Sequence, residues 1–270
     1  MTDQAVIPLD TERLLARKDP PVGWLTFNNP ERRNAVSLDM WGAMPAAIAA
    51  FEADPAVRVV VASGAGGKAF ASGADISQFD EERASPEANA RYSAITGAGQ
   101  AALSRCSKPT VAMIQGFCIG GGLALALSCD LRIAAEGSSF GIPAARLGLG
   151  YAFPGVATLV GLVGPAYAKE ILFTARRFSA EEALRMGLVN QVVPAAELES
   201  ATRSLAETIG ANAPLTVRAS KMAVEAAIQD SARRDLEAVS DAVDACFASA
   251  DFVEGRRAFM EKRAPRFRGV

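Results

Sequence analysis

A chain of 270 residues, 50% apolar and 21% charged, is long enough to bury a full core as one large domain or one domain with an appendage. The formal net charge of −2 argues against nucleic-acid and membrane-surface partners, and the lack of any histidine excludes Ser-His-Asp and Cys-His catalysis and the common zinc sites, so no metal is expected. The opening "MTDQAVIPLD" has no basic or apolar export segment, which makes the cytoplasm the expected location.

In chain order, "PVGWLTFNN" (21–29) reads as a strand and "SLDMWGAMPAAIAAFEAD" (37–54) as an amphipathic helix opened by Ser37 or Asp39. "VRVVVASG" (57–64) is a buried strand. A helix is expected to start near Asp75, with an exposed polar segment from Asp80 to Asn89 and another helix over 90–105. "KPTVAMIQG" (108–116) then forms a strand, "GGLALALSC" (121–129) a helix, and "DLRIAAE" (130–136) continues an alternation that indicates a layered α/β domain. After about residue 190 three helices follow, 195–212, 213–228 and 232–249. The expected division is therefore a core over 1–194 and a helical region over 195–270, whose apolar faces call for self-association.

Several motifs lead nowhere. "GSSFG" (137–141) copies a nucleophile elbow, but no histidine exists to serve as its base. "GAGGKA" (64–69) imitates a dinucleotide turn, yet no Ser or Thr follows its Gly-Lys pair. The run from Thr110 to Cys129 is nearly long enough to cross a bilayer, but a triple glycine and Gln115 inside it favour a strand, a turn and a helix. Cys106, Cys118, Cys129 and Cys246 lie in apolar surroundings without paired spacing and read as buried free thiols.

Two glycine-containing turns are better candidates. "FASGADI" (70–76) and "IGGGLA" (119–124) both place small residues at the end of a strand, where backbone N–H groups are unpaired and approachable. Two such groups on one oxygen would make an oxyanion hole; otherwise the glycines only permit tight turns.

"NPERRNAVS" (29–37), "GKAFASGADISQF" (67–79), "GFCIGGGLALALSCDLRIA" (116–134), "FGIPAARLGLG" (140–150) and "AKEILFTARRFSAEEALRMGLVNQVV" (168–193), in that order, resemble the crotonase superfamily of enoyl-CoA hydratases and isomerases. The resemblance implies a spiral of repeated ββα units, a C-terminal helical region that builds trimers and hexamers as dimers of trimers, and an acyl-CoA thioester ligand with no further cofactor. It implies that the N–H groups of Ala74 and Gly121 hold the thioester oxygen, with Gly120 and Gly122 beside them. It further implies that Arg33, Ala35, Ser72, Asp75 and Ile76 line the CoA channel and that Phe259 and Lys262 approach the adenine end.

The chain also departs from that family. Hydratases carry one glutamate two residues after the glycine triplet and another directly after the proline of "FGxP"; those positions here are Ala124 and Ala144. Hydration needs water activated at one carbon and a proton delivered to its neighbour, each worth about 10²- to 10⁴-fold, so efficient ordinary hydration is not expected. The polar groups that remain are Arg146 and Tyr151. The methylmalonyl-CoA decarboxylase branch has a tyrosine at the spacing of Tyr151 and needs no glutamate base, although it has a histidine where this chain has Ala74. Arg146 fits either a substrate carboxylate or a subunit salt bridge, and Asp130 and Arg132 read as structural. Three readings follow: a hydratase/isomerase-family enzyme that stabilises a thioester enolate, a decarboxylase-like lyase using Tyr151, and a non-catalytic acyl-CoA binder. Other acids, among them Asp80, Glu81 and Glu82, are not placed by sequence alone.

Overall fold

The computed structural model describes residues 5–75 and 84–270. The chain enters through β1 (Ala5–Ile7), β2 (Leu14–Asp19) and β3 (Val22–Phe27), which pair antiparallel, and then forms helix α1 (Leu38–Glu52). Three units follow with one plan. They are β4 (Val59–Gly64), β5 (Ala69–Ala71) and α2 (Pro86–Ser104); β6 (Thr110–Ile114), β7 (Phe117–Ile119) and α3 (Gly121–Leu127); and β8 (Leu131–Ala135), β9 (Ser139–Gly141), a 3-10 turn (Pro143–Leu147) and α4 (Phe153–Thr174). The first strand of each unit joins a seven-stranded sheet ordered β1-β2-β3-β4-β6-β8-β11, and the second joins a four-stranded sheet ordered β10-β9-β7-β5. Each unit thus advances the chain by one strand in both sheets, which is a spiral. β10 (Phe178–Ser179), α5 (Ala180–Arg185) and β11 (Gln191–Val193) complete it.

Strand periodicity explains the layering. In "VVVASG" of β4, Val59 and Val61 point into a cluster with Trp24, Val111 and Ile133, whereas Val60 and Ala62 point into the main core with Leu25, Phe27, Met40 and Phe51. Both faces are covered, so the strand is apolar throughout. The cluster on the Val59 side is closed by Leu198 and Ala206 of α6 (Leu198–Gly210), which packs across β3, β4, β6 and β8. Helices α7 (Pro214–Ile228), α8 (Leu236–Ala248) and α9 (Ala250–Met260) follow. Lys221 of α7 reaches back to the core, its Nζ 2.8 Å from the Asp130 carboxylate.

Some expectations shift. The helix placed over 90–105 begins at Pro86, because Ser85 accepts the Ala88 N–H at 3.2 Å and the proline sits at the first helical position. The polar segment placed over 80–89 is therefore helical from residue 86, and the helix expected from Asp75 lies outside the described residues. β1 and β2 were not anticipated. "GAGGKA" connects one strand to another, β4 to β5, not a strand to a helix. The apolar run from Thr110 to Cys129 is the succession β6, β7, α3. Among the described residues only α4 is long and apolar enough to cross a membrane. Its helical geometry breaks at Gly164 (φ 73°, ψ 168°) before Pro165, leaving a leg of about 16 Å over 153–163, against a hydrocarbon core of roughly 30 Å.

Candidate functional site

Val36 forms an isolated parallel bridge to Ala74. Its N–H donates to the Gly73 carbonyl at 2.8 Å, and its own carbonyl accepts the Asp75 N–H at 3.2 Å. Successive residues of an extended chain turn their polar groups to opposite sides. With Gly73 and Asp75 turned to Val36, the N–H of Ala74 faces away from it, toward the start of α3. A Cβ built on Gly121 would stand 3.4 Å from the Ala74 nitrogen and 3.7 Å from the Gly73 carbonyl carbon, so the missing side chain is the gap beside that N–H. Gly121 is the first residue of α3, where N–H groups have no partner inside the helix. Among the described residues neither N–H has a hydrogen-bond acceptor.

The two turns need their glycines for different reasons. Gly120 takes φ 54° and ψ −118°, a backbone open to glycine, and donates to the Gly141 carbonyl at 2.8 Å. Gly122, expected beside the ligand, packs closely against β5: a Cβ there would run into the Ala71 carbonyl oxygen.

Ala124 and Ala144 flank the same turn. On α3, Gly121, Ala124 and Ser128 are half-buried and share one face at helical spacing, while Leu123, Leu125 and Ala126 are buried on the other. Pro143 abuts Gly120, its Cδ 3.9 Å from where a Cβ would stand, which brings Ala144 alongside. Neither methyl group can hold or deliver a proton. Tyr151 packs against the main core with its ring against Gly155, and burial raises its phenol above the ordinary value. No described residue hydrogen-bonds its hydroxyl.

A family model described as enoyl-CoA hydratase/isomerase matches residues 18–270. A crotonyl-CoA hydratase of Syntrophomonas wolfei is 37% identical over 256 residues, 95% of this chain and 98% of that protein. A crystal structure of an enoyl-CoA hydratase/carnithine racemase from Magnetospirillum magneticum superposes with a TM-score of 0.91 at 35% identity, covering 97% of each chain. This chain belongs to the enoyl-CoA hydratase/isomerase family. It has the crotonase fold. A carnitinyl-CoA dehydratase of Salmonella typhi is 35% identical over 263 residues, 96% of this chain and 99% of its own.

The other residues that the family resemblance singled out divide sharply. Arg33 adopts φ 52° and lays its guanidinium 4.9 Å from the Phe117 ring centroid; Arg177, which sequence reasoning missed, reaches the same ring at 5.0 Å. Ser72 ties the turn to the loop before it, its N–H donating to the Arg33 carbonyl at 3.1 Å and its hydroxyl to the Arg32 carbonyl at 3.2 Å. Ala35 is buried, and its carbonyl accepts from Asn29 Nδ2 at 3.1 Å. Asp75 is also turned inward, its carboxylate 3.2 Å from Arg32 Nη1. Ile76 lies outside the described residues, as do Asp80, Glu81 and Glu82. Phe259 is 82% exposed on α9, and Lys262, at φ 53°, ends that helix. Phe259 lines a groove between α7, α8 and α9 with Phe247, Phe252 and Met260.

Asn34 is a positioning residue without a motif to announce it. Fully buried at φ 55°, it donates to the Ala65 and Ala69 carbonyls at 2.9 and 2.7 Å and accepts the Asn29 N–H at 2.9 Å, binding the loop before Val36 to the β4–β5 turn. Ser139 of "GSSFG" is part of strand β9, not of an elbow. Burial pushes the Cys106 and Cys129 thiols up to about 11 and about 12, and Cys118 higher still, which suits inert packing. No cluster of three metal-ligating side chains occurs among the described residues.

Proposed function

We propose that this family member binds an acyl-CoA thioester and stabilises the enolate form of its acyl group between the N–H groups of Ala74 and Gly121. The observation that carries this reading is the gap beside the Ala74 N–H, open only because Gly121 has no side chain. Loss of one oxyanion donor costs about 3 kcal/mol of transition-state stabilisation. The names of the crotonyl-CoA hydratase and carnitinyl-CoA dehydratase relatives support an acyl-CoA ligand. Coenzyme A belongs to the substrate, and no separate cofactor is called for.

Ala124 and Ala144 set the limit on the reaction. With methyl groups where hydratases carry acids, the site polarises a thioester but lacks the pair of groups that moves water and proton, so crotonyl-CoA is hydrated slowly. A second reading is favoured by Tyr151, a half-buried phenol without a partner among the described residues. In a decarboxylase-like lyase the bond to the carboxylate breaks, carbon dioxide leaves, its electron pair passes into the thioester enolate, and Tyr151 delivers the proton. A third outcome is binding without turnover.

Mass spectrometry of the CoA esters after incubation with crotonyl-CoA, a longer enoyl-CoA and methylmalonyl-CoA separates these readings. Rapid gain of water overturns the role given to Ala124 and Ala144. Loss of carbon dioxide selects the lyase, in which Tyr151→Phe lowers turnover about 10²-fold without weakening CoA-ester binding. No product with any thioester selects binding alone. We also propose that the chain self-associates as a trimer or a dimer of trimers through α7–α9, where Val224, Ile228, Phe247 and Phe259 are exposed.

A further inference from the structure

Arg132 follows α3 and stands on β8, and its guanidinium is received by carbonyl groups alone. Nε donates to Leu188 at 2.8 Å, Nη1 to Cys129 at 2.6 Å and to Ala126 at 3.3 Å, and Nη2 to Asp130 at 3.4 Å. Its backbone is held as firmly: its N–H donates to Asn190 Oδ1 at 2.8 Å, and its carbonyl accepts the Asn190 N–H at 2.9 Å. The residue is 3% exposed, and no carboxylate among the described residues pairs with it. The adjacent Asp130 carboxylate is turned instead to the Thr110 N–H and hydroxyl and to Lys221.

A buried cation without a counter-ion is costly, and a neutral side chain would fill the same volume more cheaply. What the guanidinium alone supplies is a rigid fork that gathers carbonyls from three directions while keeping its charge. Those carbonyls belong to the last turn of α3, to the chain just beyond it, and to the segment before β11. The opposite end of the same helix presents the Gly121 N–H.

We propose that Arg132 is a positioning residue for the thioester site: it fixes the far end of α3 so that the Gly121 N–H stays aligned with that of Ala74, and it holds a permanent positive charge behind the oxygen they share. The inference rests on the enolate-stabilising reading above. The seven residues of α3 rise about 10 Å. At an effective dielectric constant of roughly 20, a unit charge at that distance changes the rate of an enolate-forming step about tenfold.

The test is the absorption of a bound chromophoric enoyl thioester, an aryl-acryloyl-CoA, whose band moves to longer wavelength as its carbonyl is polarised. Arg132→Lys keeps the charge and loses the fork; Arg132→Gln loses both. The expected result is a clear shift in the wild type, a shift cut by half or more in Arg132→Gln, and partial recovery in Arg132→Lys, with dissociation constants within about threefold of one another. For any thioester that is turned over, kcat falls about tenfold and KM stays nearly constant. Folded variants that reproduce the wild-type shift overturn the inference, as does a loss confined to melting temperature. If neither variant folds, Asn190→Ala, which removes the Oδ1 acceptor of the arginine's N–H but keeps the arginine's side chain and the backbone bond to its carbonyl, takes the same measurement, and an unchanged shift again overturns it. A wild-type protein that binds the probe without any shift sinks the oxyanion reading itself, and the arginine's role with it.

Discussion

Gly121→Ala separates the site from the fold. Gly121 has ordinary helical backbone angles, so alanine needs no strained conformation there. The added Cβ would meet Ala74 N at 3.4 Å, Gly73 C at 3.7 Å and Gly73 Cα at 3.9 Å, all ordinary contacts, and the protein should fold with a stability unchanged or raised by up to about 0.5 kcal/mol. The methyl group nevertheless stands in the space that an oxygen would need to accept from the Ala74 N–H at about 2.9 Å. One donor is thereby lost, a change of about 3 kcal/mol, or 10²- to 10³-fold in turnover. Gly122→Ala is the contrast: its Cβ would stand 2.1 Å from the Ala71 oxygen and 2.8 Å from the Ala71 Cβ, so backbone must move, and overpacking of this kind costs roughly 1–3 kcal/mol or more. Calorimetric titration with crotonyl-CoA and with free CoA gives the part of the affinity owed to the thioester, and thermal unfolding gives the stability. The reasoning fails if Gly121→Ala keeps the wild-type ratio of the two affinities and wild-type turnover, or if it unfolds as readily as Gly122→Ala.

Restoring acids should restore hydration: Ala124→Glu combined with Ala144→Glu is expected to raise crotonyl-CoA hydration by 10²-fold or more, followed as loss of enoyl absorbance, and a folded double variant without any gain contradicts the placement of both residues. Unfolded thiols lose their protons near pH 9, while folded Cys106 and Cys129 keep theirs to about 11 and about 12. The folded state then holds more protons, so stability is full below pH 8 and falls as pH rises from about 9 toward 11, by up to about 1.4 kcal/mol per pH unit for each thiol. Urea midpoints measured from pH 8 to 10.5 test this; Cys106→Ala should flatten the decline, and an unchanged slope would count against it. Light scattering at micromolar concentration should give a mass three or six times that of one chain, with Phe247→Glu shifting it toward the monomer; a monomeric wild type refutes self-association through α7–α9.

The middle of the large sheet was legible because its strands are long enough to show a pattern: "VVVA" and "VAMI" are apolar runs inside "VRVVVASG" and "KPTVAMIQG", and their faces alternate as the period of two requires. The small sheet was not, since "AFA", "FCI" and "SFG" are three residues each and too short to carry any period. That sheet nevertheless sets the site, so the meeting of Ala74 and Gly121 followed from family likeness and not from local signal. Ala124 and Ala144 could be located by counting from the glycine triplet and from "FGIP". The packing of Gly122 against Ala71 and the capture of Ala35 by Asn29 carry no signal in the motifs, because a motif names neighbours in sequence whereas these contacts reach residues 51 and 6 positions away. The grip of Arg132 on Leu188 spans 56 positions and leaves no trace in composition.

The staircase of paired strands has a metrical consequence. Ala74 follows β5 and Gly121 follows β7, which are the same step of two successive turns, hydrogen-bonded side by side. Adjacent strands lie about 4.8 Å apart, and one oxygen can stand about 2.9 Å from two nitrogens separated by that amount. The pitch of the spiral is therefore the ruler that spaces the Ala74 and Gly121 N–H groups, and it is kept by the buried residues that hold the sheets in register. The side chains at 124 and 144 hang from this ruler singly and are exchangeable one codon at a time. Exchanging them leaves the spacing of the two N–H groups untouched.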